Sequence, residues 1–153
     1  MAIYTARYGN KTLRGEGYYP VGISIGSPKF PLGYELREQC YALAPKGFML
    51  KMEYEPYCKA YFQKLEDIGT DKIIGIVQRL DQKAQDEDKE LVLLCFEDIR
   101  KPEQWCHRTL FAEWWQRKTG EIIAELEEAE LPKAPKKAAE TPKEEQAEQC
   151  MLF

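Results

Sequence analysis

The side chains best suited to chemistry fall close together in this chain. They are Cys95, Glu97 and the run Cys106-His107-Arg108. A thiol held near a cation or a helix N-terminus loses its proton more readily and becomes a nucleophile. His107 is the only histidine, and an unperturbed imidazole exchanges protons near neutral pH. Glu97 can orient that imidazole or handle a proton itself. Arg108 can grip a phosphate or carboxylate with two parallel bonds. Arg7, from a basic N-terminal third, is the second anion-binding candidate. The catalytic candidates are therefore Cys95, Glu97, Cys106 and His107. Each has a plainer reading. Cys95 closes an apolar run and can be a small buried hydrophobe. Arg108 can clamp Glu97, Asp98 or Glu103. A lone histidine at a helix start is often a cap or a packing residue.

These residues need elements to place them. Leu91 to Cys95 is a short, continuous apolar run, which predicts a central parallel strand buried on both faces. His107 to Lys118 reads as a helix with Leu110, Phe111 and Trp114 on one side, stopped by Gly120. Upstream, Ala2 to Arg7 and Val21 to Ile25 read as strands. Tyr34 to Leu43 reads as a short helix that Pro45 ends. A helix from Pro56 carries Tyr57, Ala60, Tyr61 and Leu65 to a stop at Gly69. Another from Thr70-Asp71 carries Ile73, Ile76, Val77 and Leu80, and the polar run Asp81 to Glu90 closes it. Glu121 to Leu126 reads as a last strand or a helix continuation, with Ile122-Ile123 after a glycine favouring the strand. The alternation predicts an α/β fold: a small, open, mostly parallel sheet flanked by helices. In such sheets ligands bind beyond the carboxyl ends of the strands, where Cys95 and Glu97 fall.

Composition sets the outer limits. A chain of 153 residues with 44% apolar content suits one domain with a real core. No apolar run approaches the ~20 residues of a membrane span. MAIYTARYGN lacks the layout of a signal peptide, so a cytoplasmic protein with no membrane partner is expected. The five cysteines are then expected as reduced thiols. Their spacing matches no finger or ribbon, so no metal is expected. A redox pair between Cys95 and Cys106 requires Cα atoms within about 7 Å. Gly15-x-Gly17 is too sparse for a nucleotide loop, and no cofactor is expected.

Met1 to Lys51 carries seven basic and three acidic side chains, interleaved with aromatics such as Tyr4, Tyr8, Tyr18 and Tyr19. That composition suits a nucleic-acid surface and equally a solvated basic face over packed tyrosines. From Leu131 the chain turns to Pro, Lys, Glu and Ala, which cannot repay ordering by burial. The division is a domain over residues 1–128, a disordered linker over 129–148 and a terminal motif over 149–153.

Two segments resemble known sequences. LVLLCFE followed by WCHRTLFAEW resembles the signature of family 488 of the domains of unknown function. There a strand ends in Leu-Leu-Cys-x-Glu and a Cys-His-Arg run opens the next helix. YTARYGN and GISIGSPKF resemble that family's first two strands and loops, so the likeness runs from Met1 to about Glu128. The family's Asp-x-Arg after the second strand is absent; Ser24 and Ser27 stand in that region. The resemblance implies a small α/β domain with its site at Cys95, Glu97, Cys106, His107 and Arg108. It supplies no reaction. The last five residues, Gln149-Cys150-Met151-Leu152-Phe153, resemble a bacterial sliding-clamp-binding peptide. Gln149, Leu152 and Phe153 stand at its anchoring positions, and Cys150 and Met151 depart from its usual Leu and small or acidic residues. A flexible tether of ~25 Å would display it.

Three functions follow. One is an accessory of DNA replication or repair, recruited to the clamp, with an anion or nucleotide at the Cys-His-Arg helix start. Another is a cytosolic thiol-dependent enzyme acting on a small anionic substrate. The third is an adaptor without chemistry, whose cysteines are core residues. The sequence leaves the oligomeric state open.

Overall fold

A computed structural model describes residues 2–97, 99–100 and 105–128. Five parallel strands form one sheet in the order β3-β2-β4-β1-β5: β1 Ile3–Arg7, β2 Tyr18–Gly22, β3 Glu38–Gln39, β4 Glu90–Cys95 and β5 Ala124–Glu125. Three helices accompany them, α1 Tyr54–Ile68, α2 Thr70–Asp86 and α3 His107–Thr119. No helix among the described residues is long and apolar enough to cross a membrane.

The apolar run fixes the centre. β4 pairs with β1 from Ile3↔Leu91 to Arg7↔Cys95 and with β2 from Tyr18↔Glu90 to Gly22↔Leu94. Side chains alternate across it. Leu91 and Leu93 join the core under the helices, and Val92 and Leu94 join a second core on the opposite face. All three helices lie on the first face. Leu13, Leu32, Tyr34 and Leu36 cover the second. The handedness of parallel crossovers accounts for this division. Connections moving toward β3 (β1 to β2, β2 to β3) pass over one face, and those moving toward β5 (through α1 and α2, then α3) pass over the other.

Local differences from the sequence reading have physical causes. Tyr34 to Leu43 is not a helix. It holds β3 and a single 3-10 turn, Tyr41–Leu43. Tyr34 and Leu36 pack into one core and Leu43 into the other, which demands extended chain rounding the sheet edge. Arg37 N–H donates to the Pro20 carbonyl at 2.9 Å and Cys40 N–H to the Gly22 carbonyl at 2.7 Å. The second strand begins earlier than expected and includes Pro20. The Pro20 carbonyl points toward β3, so its missing N–H faces that side and takes no bond from the β4 ladder. α2 runs past the expected end at Asp81 because Ala84 packs fully into the core. Gly120 closes α3 as expected, at φ 78°, its N–H bonded to the Gln116 carbonyl.

Gly22 ends β2 where a side chain has no room. A methyl there would meet the Tyr8 hydroxyl and, at 2.6 Å, the Gln39 carboxamide oxygen. Tyr8 cannot yield: it is fully buried and hydrogen-bonded to Ser24 at 2.7 Å. Gly22→Ala is expected to destabilise the domain by about 1–3 kcal/mol, read as a lower urea midpoint. An unchanged midpoint would show that the Tyr8–Ser24 pair is not rigid.

Candidate functional site

Because every strand is parallel, all carboxyl ends share one edge. β2 and β4 are neighbours whose outgoing connections travel in opposite directions, the arrangement that opens a crevice for a ligand. The chain after β2 supplies Ser24 to Gly26, and the end of β4 with the chain after it supplies Cys95 to Glu97. The start of α3 adds Cys106 and His107. Together with Pro45, Leu50, Tyr57, Phe96 and Trp105 they line a cavity of about 350 Å³.

Cys95, Cys106 and His107 are brought together there. All three are buried, Cys95 at 0% and Cys106 at 2% exposure. Their ligating atoms lie within 4.8 Å of one another. The two sulfurs are bonded to each other, where the sequence leads to reduced thiols, because the end of β4 and the start of α3 meet at this edge; the Cα atoms stand 7.1 Å apart. That spacing sits at the outer edge of the redox-pair requirement, beyond the roughly 4.4–6.8 Å of ordinary bridges. Cys106 is the N-cap of α3, so its sulfur meets the positive end of the helix dipole.

His107 reaches from the first turn of α3 to β2's exit. Its Nε2 lies 2.5 Å from the Ile23 carbonyl. A carbonyl only accepts, so Nε2 carries the hydrogen and Nδ1 keeps a lone pair. That lone pair faces the Cys106 sulfur at 3.7 Å. Burial pushes the imidazole down to about 4; the Ile23 bond opposes the fall and the Arg108 charge adds to it. His107 is thus neutral near pH 7. Burial disfavours the charged imidazole and moves its proton exchange below the neutral range that an unperturbed histidine has.

Arg108, expected to bind a substrate anion, is fully buried behind Cys95. Its Nη1 donates to the Cys95 sulfur at 3.2 Å and to the Glu97 carbonyl at 2.9 Å. Its Nε and Nη2 grip the Glu125 carboxylate at 3.0 and 2.8 Å. The anion it binds is therefore one of the chain's own, placed by β5. The same carboxylate accepts from the Thr5 hydroxyl at 2.8 Å. Arg7 lies outside the cavity and pairs with Glu128 at 2.7 Å. Glu97 lines the cavity and is exposed. Its carboxylate raises the Tyr57 hydroxyl further, after burial, which is the larger cause.

Sequence reasoning missed the aromatic wall of Tyr57, Phe96 and Trp105. Trp105 and Phe96 adjoin Cys106 and Cys95, a signal that was open to reading. Tyr57 packs edge-on against Trp105 at 4.7 Å between ring centroids, and nothing in local sequence announces that pairing. In the basic third, Tyr8 and Tyr19 are core residues, and Arg37 is paired to Glu87. Gln149, Leu152, Phe153 and the linker 129–148 lie outside the described residues, as do Asp98 and Glu103.

Compared with known protein families, curated proteins and solved structures, this chain matches none.

Proposed function

We propose that this protein is an enzyme whose centre of two sulfurs and one imidazole acts on a small substrate seated in the cavity above it. The carrying observation is convergence: two sulfurs and a fixed imidazole, brought from two separate elements, form the floor of one cavity. An adaptor has no need to gather such atoms under an opening. Burial of a thiol for packing alone places it away from a cavity rather than on its floor.

The wall narrows the substrate. Tyr57, Phe96 and Trp105 present flat apolar surface, and the Ser24 hydroxyl beside them is already bonded to Tyr8 and to the Gly26 carbonyl. Among the described lining residues Glu97 is the only charged side chain, since His107 is neutral. The anionic substrate favoured by the sequence meets no cation among the described lining residues, because Arg108 is spent on Glu125. A neutral, flat molecule with a polar edge fits better.

Alkylation of the reduced, chelator-treated full-length protein tests this. Labelling by neutral iodoacetamide is expected to reach Cys95 or Cys106 before Cys40, because Arg108 and the α3 N-terminus favour the thiolate there, whereas burial pushes the Cys40 thiol up. Anionic iodoacetate is expected to be slower. Leu50, exposed at the cavity mouth, gives the control. Leu50→Trp is expected to slow labelling several-fold while stability stays within about 0.5 kcal/mol, as for most surface changes. Resistance of both thiols at rates that modify Cys40 would remove the enzyme reading.

The terminal peptide supports a second element. We propose that Gln149, Leu152 and Phe153 deliver the domain to a sliding clamp, on the strength of their sequence. Titration calorimetry is expected to give micromolar binding that vanishes when residues 149–153 are deleted, with the domain's melting temperature unchanged. Binding that survives the deletion, or none by either protein, would remove the clamp and with it the main reason for a role at DNA.

A further inference from the structure

We propose that Cys95, Cys106 and His107 hold one soft divalent metal ion of the zinc class, with the fourth coordination position open to the cavity. The inference rests on the reading of this cavity as an active site and names how that site works.

The donor set comes first. Two thiolates and one imidazole nitrogen are the ligands zinc prefers and magnesium or calcium avoids. They already lie within 4.8 Å of one another. Orientation is the second point. A metal-bound histidine donates its other N–H to a carbonyl or carboxylate, which fixes the tautomer. His107 does this: Nε2–H goes to the Ile23 carbonyl, and the Nδ1 lone pair turns toward Cys106.

Spacing is the third. The Cα separation of 7.1 Å is wide for a direct bridge. Two sulfurs at about 2.3 Å from a tetrahedral zinc stand about 3.8 Å apart, and the wider span matches the backbone as it lies.

Charge is the fourth. Arg108 is matched by Glu125, so it leaves no positive charge to balance two buried thiolates. A divalent cation neutralises them. Once a thiol reductant has opened the Cys95–Cys106 bond to two thiols, metal binding expels their two protons to solvent, and the Arg108 bond to the Cys95 sulfur remains as an outer contact that steadies one ligand.

Among the described residues three side chains can ligate, the protein-ligand number of a catalytic site. Structural zinc sites are closed by four protein ligands, and catalytic ones keep three with a water in the fourth position. All three residues line the cavity, so the fourth position faces the substrate. A water there is acidified toward neutral pH, and Glu97 is the carboxylate among the described lining residues that can take its proton. Spacing rules that expect ligands two residues apart miss such a site. Here the cysteines are 11 residues apart and meet only because α3 returns over the end of β4.

Cobalt is the probe. Reduced full-length protein titrated with cobalt is expected to bind one ion, with sulfur-to-metal charge transfer in the near ultraviolet and visible bands of tetrahedral cobalt. Zinc is expected to displace it. Azide is expected to shift the visible bands, reporting the open position. Cys95→Ser, Cys106→Ser and His107→Gln are each expected to weaken binding at least about 100-fold, the upper end of what losing an outer partner alone costs. Cys40→Ser is expected to change nothing. Absence of cobalt binding by the reduced wild-type protein overturns the proposal without any variant needing to fold. Binding that survives Cys95→Ser together with Cys106→Ser also overturns it, since the ion would then sit elsewhere. Either failure leaves the cavity's thiols testable by alkylation in the chelated protein, so the two readings fall separately.

Discussion

Glu125→Leu is expected to destabilise the domain more than Arg108→Leu, although Glu125 is the more exposed partner. Arg108 has 0% side-chain exposure and Glu125 30%. Removing the carboxylate strands a guanidinium with no route to water, and breaking a buried pair from one side costs about 3–5 kcal/mol. The upper end of that range applies to Glu125→Leu. Removing the guanidinium instead leaves a carboxylate that can rehydrate, which places Arg108→Leu near the lower end. The double variant is expected to lose less than the sum, because neither charge is left alone. Urea unfolding of the three variants and the parent measures all of this. Equal single effects, or an additive cycle, would mean that the pair contributes packing rather than charge compensation.

Trp114→Ala is expected to cost about 3–5 kcal/mol, the range for emptying a large core site. Trp114 is 1% exposed and stands 6.1 Å from Phe111 between ring centroids. Its indole N–H donates to Glu66 of α1 at 3.0 Å. It therefore braces α3, whose first turn carries His107 and Arg108, against its neighbour helix. The loss is expected to reach the site as well: alkylation of Cys106 should quicken while the far-ultraviolet spectrum of the folded variant stays that of the parent. Trp114→Phe keeps the ring contact and loses the N–H, so a much smaller loss is expected. A small effect of the alanine variant would show that α3 is held chiefly by its sheet contacts.

The sequence made the centre of this molecule legible and left its margins obscure. β4 was readable because five consecutive apolar residues have few other uses. α3 was readable because a glycine stop and an apolar face agreed. β3 was not, since Glu38 and Gln39 become a strand only through the exposed edge of β2 beside them. The same limit governs the site. Cys95, Glu97, Cys106 and His107 were identified by type, and the structure brings the two sulfurs and the imidazole together. The atom that sets the histidine's orientation is a backbone carbonyl 84 residues away, and no side-chain pattern reports a carbonyl. Arg108 has its carboxylate 17 residues on, across a strand of two residues, whereas nearby acids were the natural candidates. Metal spacing rules do not describe the Cys95, Cys106 and His107 cluster for a related reason. They describe ligands clustered by short loops, and this cluster is assembled by a crossover.

The position of β1 bears on how the chain comes off the ribosome. Its first strand lies between β4 and β5, with Ile3 beside Leu91 and Tyr4 beside Ala124. At roughly 5–20 residues per second of synthesis, several seconds pass between the emergence of that strand and its first neighbour, and more before its second. During that time Ile3 to Arg7 has both edges unpaired, the state in which a strand recruits whatever chain is near. Its shortness and its closing arginine limit that hazard, and the β1–β4 pairing becomes the event on which the yield of native protein turns.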